Sequence, residues 1–151
     1  MAAKVYGGGF HRLRFDLRHS QPNGEKLMLK GSCNFNGVTF PVKDGGQSVS
    51  ACHCTQCGKQ SGHHWASGYT DVNDFEISGD VRWFETSVTA KRGFCPTCGC
   101  FLFWKANTED GMSFSLGVID GPTGLKLQKH IFVADKGDYY TIADDVPQRE
   151  Q

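Results

Sequence analysis

The tightest constraint in this 151-residue chain is three cysteines within six residues, Cys52-His53-Cys54-Thr55-Gln56-Cys57. Thiolates this close suit a soft or borderline metal, and Zn²⁺ is the commonest ion bound by sulfur. Side chains alternate faces along an extended segment, so Cys52 and Cys54 point the same way and His53 points away. Cys57 follows at the reach of a turn. An extended arm and a turn can gather three sulfurs around one point. The fourth position falls to a distant residue, a water or a substrate, and that choice separates a structural from a catalytic site.

Cys95-Pro96-Thr97-Cys98-Gly99 is the second constraint. Two cysteines around two residues, with glycine after, form a knuckle whose amide groups can point at the sulfurs. This is half a structural metal site, and Cys33 is the obvious third ligand. Two other readings compete. Cys95 and Cys98 could be a redox pair, although that motif normally opens a helix and here the apolar run Phe101-Leu102-Phe103-Trp104 follows. The cysteines could also be buried apolar residues without chemistry, an improbable reading for a triplet of this spacing.

Lys+Arg and Asp+Glu number 16 each, so the formal net charge is zero. No basic excess is present to grip nucleic acid or an anionic membrane. The first thirty residues lack a signal-peptide core, and no run approaches the roughly 20 apolar residues of a membrane span. The expected location is cytoplasmic, where clustered cysteines bind metal or do chemistry more often than they pair. Seven cysteines, an odd number, also argue against a purely disulfide framework.

With 19 glycines and 11 phenylalanines, the chain favours short strands and many turns, hence a mainly β domain. Residues 1–25 read as a flexible leader and 26–151 as one domain. The alternation predicts a hairpin over 26–43, a short helical turn over 55–62 and strands at 65–69, 112–116 and 130–133, and the aromatic run 101–104 is strand-like. It also predicts strands at 75–77 and 81–84 about Ser78-Gly79-Asp80, and at 139–142 before a polar surface tail. His53 reads as a surface group or one behind the ligands. His63 and His64 read as solvated loop histidines, and His130 carries no signal. There is no phosphate loop, serine elbow or His-Glu-x-x-His helix.

The order Gly31-Ser32-Cys33, then Cys52-His53-Cys54-x-x-Cys57 with Gly62, then Arg92-Gly93-Phe94-Cys95-x-x-Cys98-Gly99, resembles the glutathione-dependent formaldehyde-activating enzyme (Gfa, or centromere-protein-V) family. The closing segment His130-Ile131-Phe132-Val133, with Asp135-Lys136 and Tyr139-Tyr140, is similar as well. The resemblance covers roughly residues 27–148. It implies an Mss4-like β-tent of short antiparallel strands around zinc-binding cysteine motifs, with one or two Zn²⁺ per chain. One site is structural, held by the first and third motifs. The other, Cys52, Cys54 and Cys57, is proposed in the family to be catalytic, with an open position for a thiol.

The implied chemistry is of the carbon–sulfur lyase type, joining a small-molecule thiol such as glutathione to an aldehyde such as formaldehyde. A non-catalytic, zinc-stapled binding module is the alternative. The chain departs from the family pattern at Phe35, which stands where the first motif has its second cysteine. That leaves Cys33, Cys95 and Cys98 for the structural site. Cys100 is an extra cysteine that could supply the fourth ligand.

Overall fold

The computed structural model describes residues 28–43 and 48–151. The expected leader, residues 1–25, lies outside the described residues. Among the described residues the architecture is mainly β, with one short α-helix and three single-turn 3-10 helices.

Strands β1 (Leu29–Ser32) and β2 (Thr39–Val42) form the expected hairpin, in register from Leu29↔Val42 to Ser32↔Thr39. Seven further strands make one sheet: β3 (Ser48–Cys52), β4 (Trp65–Asp71), β5 (Arg82–Glu85), β6 (Ala90–Phe94), β7 (Phe101–Ala106), β8 (Gly111–Ser115) and β9 (Lys129–Ile131), in the order β5-β6-β7-β8-β4-β3-β9. Helix α1 (Thr55–Ser61) follows β3 and ends where the Gly62 N–H bonds the Gly58 carbonyl.

The main core forms where the hairpin packs on the sheet. Phe40, Phe103 and Phe114 are all but fully buried, with Leu102, Met112, Val38 and Val42 around them. Phe40 meets Phe103 edge-on at 4.8 Å between ring centroids. Each such ring contributes roughly 1.5–3 kcal/mol by burial. Cys33 and Cys95 belong to this same core. A smaller cluster of Cys52, Cys57 and Trp65, flanked by Phe101, Trp104 and Ile131, lies apart from it.

Three expectations need correction. The sheet is not wholly antiparallel: β9 runs parallel to β3, with Ala51 opposite His130. The connection through 116–128 carries the chain back along the sheet, so β9 starts from the same end as β3. Of the two strands expected about Ser78-Gly79-Asp80, the second is present as β5, but residues 75–77 form no strand. Phe75 and Ser78 instead make single bridges to Val42 and Thr39, and β5 pairs with β6. Gly79 explains this. At φ +93° its backbone lies against the Gly37 turn, and a β-carbon there would stand 1.9 Å from the Gly37 carbonyl oxygen. That contact commits the segment to the hairpin.

Residues 139–142 form no strand, because Tyr140 turns toward His53. The polar tail is exposed, yet its backbone is paired. The His130 N–H donates to the Pro147 carbonyl (2.8 Å) and the Arg149 N–H to the His130 carbonyl (3.0 Å). Among the described residues, no helix is long and apolar enough to cross a membrane.

Candidate metal centre

Strand β3 delivers Cys52 at its end. The His53 N–H then donates to the Ile131 carbonyl (2.9 Å), which keeps the arm extended to Cys54. Cys54 caps α1, its sulfur accepting the Cys57 N–H at 3.4 Å. The sulfurs of Cys52, Cys54 and Cys57 consequently lie within 4.8 Å of one another. Tetrahedral thiolate ligation at about 2.3 Å sets sulfurs about 3.8 Å apart, so this spacing fits a zinc-sized ion with little movement. Among the described residues, no fourth His, Cys, Asp or Glu ligand atom joins the group.

Proton donors surround these sulfurs. Arg92, on β6, is 3% exposed. Its Nη2 donates to Cys57 Sγ (3.6 Å) and its Nη1 to Gln56 Oε1 (2.6 Å). Its Nε and Trp65 Nε1 are buried without a partner among the described residues. A buried guanidinium bonded to one of three clustered sulfurs matches a set of thiolates that carries excess negative charge. The Cys57 thiol is pulled down to about 6, chiefly by the hydrogen bond from Cys52, with Cys54 and Arg92 assisting against burial. The same shared proton pushes Cys52 up.

A second sulfur group forms at the hairpin. Cys33, Cys95 and Cys98 also lie within 4.8 Å of one another. The Val38 N–H points at Cys33 Sγ (3.3 Å). Burial raises the Cys33 pKa, but the amides of Phe35, Val38 and Gly37 and the Cys95 thiol outweigh it and bring it to about 7. The Cys95 knuckle closes through the Gly99 N–H on the Cys95 carbonyl (2.9 Å), with Gly99 at φ +72° as this turn requires. The Phe35 ring lies half-exposed over Gly37 and offers no ligand. Cys100 is near enough to this group for its thiol to be raised by burial and then by Cys98 and Cys33. Its sulfur is nevertheless not one of the three that converge. All seven cysteines are free thiols.

The two groups differ in setting: the hairpin group reaches the surface through exposed Cys98, whereas the triad faces a cavity. A cavity of about 540 Å³ opens onto Cys52, Cys54 and Cys57. Its walls include Trp65, Trp104, Ile131 and Phe132, with Arg92 and Asp135 as the charged residues.

Sequence reasoning missed what stands behind the triad. His53 does face away from the sulfurs' convergence, as alternation predicts, but it is 3% exposed rather than at the surface. Its Nε2 is 2.8 Å from His130 Nδ1, and His130 Nε2 is 3.0 Å from the Asp144 carboxylate. A carboxylate only accepts, so His130 Nε2 carries a hydrogen and His130 Nδ1 accepts from His53 Nε2–H. That leaves His53 Nδ1 to accept from the Tyr140 hydroxyl. Burial, then the neighbouring His64 and His130, lower the His53 pKa to about 4, consistent with a neutral ring. This chain of bonds fastens residues 130–144 behind the cysteine arm. His63 is exposed and contacts Tyr139, while His64 is half-buried.

The family model of the glutathione-dependent formaldehyde-activating enzymes matches residues 28–135. A comparison with curated proteins found no match. Among solved structures, a crystal structure of a Rhodobacter sphaeroides protein is similar, at a TM-score of 0.53 and 19% identity over 62% of this chain and 89% of that one. At that identity the likeness speaks for the fold alone.

Proposed function

The chain belongs to the glutathione-dependent formaldehyde-activating enzyme family, and on that premise we propose that it joins a low-molecular-weight thiol to a small aldehyde at a zinc held by Cys52, Cys54 and Cys57. The observation that carries this reading is the cavity opening directly onto three convergent sulfurs that have no fourth protein donor among the described residues. Both sulfur groups lack a fourth donor among the described residues, so the cavity is what separates them: a catalytic zinc keeps a position for substrate, and the triad faces a space that could hold one. The hairpin group, Cys33, Cys95 and Cys98, is read as the structural partner site, since two of its sulfurs lie in the main core. We place the protein in the cytoplasm, where such thiols stay reduced.

Zinc bound at the triad supplies a Lewis-acidic position that favours a substrate sulfur in its thiolate form. The chain's own residues do the rest. Arg92 offsets the negative charge of the sulfurs through Cys57 and is itself held by Gln56. Trp65, Trp104, Ile131 and Phe132 give the reacting pair an apolar flank. The reaction forms one carbon–sulfur bond and breaks the carbonyl π bond, and the proton lost by the thiol ends on the carbonyl oxygen. Asp135, on the cavity wall, is the carboxylate available to pass that proton.

The test is the rate of thiol–formaldehyde adduct formation, followed by exchange NMR on the zinc-loaded protein. The reading expects acceleration over buffer that Cys57→Ser abolishes. A rate equal to that of buffer would favour the non-catalytic binding module.

A further inference from the structure

We infer that the cavity over the triad prefers a thiol with an apolar, ring-sized body to glutathione, and that Phe132 sets this preference; the inference rests on reading the triad as the thiol site. Glutathione brings two carboxylates and an ammonium group. Each must be paired or kept in water, because burying an unpaired charge is costly. Among the described lining residues, the cavity offers one cation and one carboxylate, Arg92 and Asp135. Arg92 is 3% exposed, and both its terminal nitrogens are engaged with Gln56 and Cys57. Asp135 repels a carboxylate. Of the other lining residues, two indoles, Ile131, Ala90 and the Phe132 ring present carbon, while Gln56 and the Ser and Thr side chains are neutral and bring no charge to pair a carboxylate or an ammonium group.

Phe132 is the independent observation. It holds φ 57° and ψ 42°, the left-handed region, where a bulky side chain is an outlier and glycine or asparagine would be at ease. The backbone on both sides is pinned. The Ile131 carbonyl accepts from His53 N–H, the Val133 N–H donates to the Arg149 carbonyl (3.1 Å) and the Asp135 N–H to the Phe132 carbonyl (3.2 Å). The fold therefore keeps a large ring, 39% exposed, on the wall of the cavity against its local conformational preference. Strain held by its surroundings beside a reactive cluster points to use of that ring. A substrate ring would cover it.

The experiment is calorimetric titration of the zinc-loaded protein with benzyl mercaptan, glutathione and benzyl alcohol. Tryptophan fluorescence locates the binding, because Trp65 and Trp104 line the cavity. Benzyl mercaptan is expected to bind about tenfold or more tighter than glutathione, the gain from burying one ring. Benzyl alcohol, lacking sulfur, is expected to bind weakly. Phe132→Asn should lose about tenfold for benzyl mercaptan and nothing for glutathione, with an unchanged or higher melting temperature because asparagine tolerates the left-handed region. Glutathione binding as tightly as benzyl mercaptan overturns the preference and leaves the thiol site standing. Unchanged benzyl mercaptan affinity in Phe132→Asn overturns the role of that ring. If benzyl alcohol matches benzyl mercaptan, or neither thiol binds, the thiol site and this inference fall together.

Discussion

Replacing Arg92 by methionine removes the guanidinium that faces the triad while keeping much of the apolar stem. The cost can be worked from the geometry. Three thiolates around a divalent zinc leave one net negative charge, and Arg92 Nη2 stands 3.6 Å from Cys57 Sγ. At an effective dielectric of about 20, unit charges at that distance attract by roughly 5 kcal/mol. The net value of a hydrogen bond to a charged group is smaller, about 1.5–3 kcal/mol, because solvation is exchanged for it. Zinc affinity at the triad should therefore fall by roughly 10- to 100-fold. Arg92→Lys should fall in between, since a lysine lacks the fork that spans Gln56 and Cys57. The assay is competition for zinc against a chromophoric chelator at fixed pH, in Cys98→Ser protein so that the triad alone reports. Affinity in Arg92→Met within about twofold of the parent would refute the charge-balancing role.

Further outcomes follow from the other residues. Phe35→Cys should restore a fourth sulfur to the hairpin group and raise its zinc affinity about tenfold or more, read by the same competition, with little effect on the metal-free fold because Phe35 is half-exposed. Cys100→Ser should leave zinc content unchanged by elemental analysis, since its sulfur stays outside the convergent three; a loss of metal would make it a ligand. Removing metal with a chelator should lower the melting temperature more in the parent than in Cys95→Ser, because the hairpin site is continuous with the main core. His130→Ala breaks the bonds to His53 and Asp144 and should destabilise the protein by about 1–3 kcal/mol. Limited proteolysis should then cut first within 136–151, and unchanged proteolysis would contradict the fastening role.

How far the sequence spoke depended on how local each feature was. Convergence of Cys52, Cys54 and Cys57 follows from strand alternation and one helical turn, so spacing alone foresaw it. The hairpin of β1 and β2 was legible for the same reason, its strands being bounded by turn residues on either side. His53 shows the limit. Alternation aimed it away from the sulfurs correctly, but both of its hydrogen-bond partners, His130 and Tyr140, lie more than 75 residues on. Arg92 stood in view as part of the third motif, yet its partner Cys57 is reached only because the sheet lays β6 near α1. The parallel pairing of β9 and the Gly79 contact are products of long-range packing, and residue periodicity carries no trace of either.

At the centre stands the proposal that Cys52, Cys54 and Cys57 hold a metal with one position open to the cavity. X-ray absorption at the zinc edge, on zinc-loaded Cys98→Ser protein before and after adding benzyl mercaptan, tests it most directly. The account predicts three sulfurs at about 2.3 Å and one oxygen or nitrogen neighbour, with a fourth sulfur replacing the light atom once thiol is added. Four sulfurs before thiol, or a spectrum that thiol does not change, would contradict it.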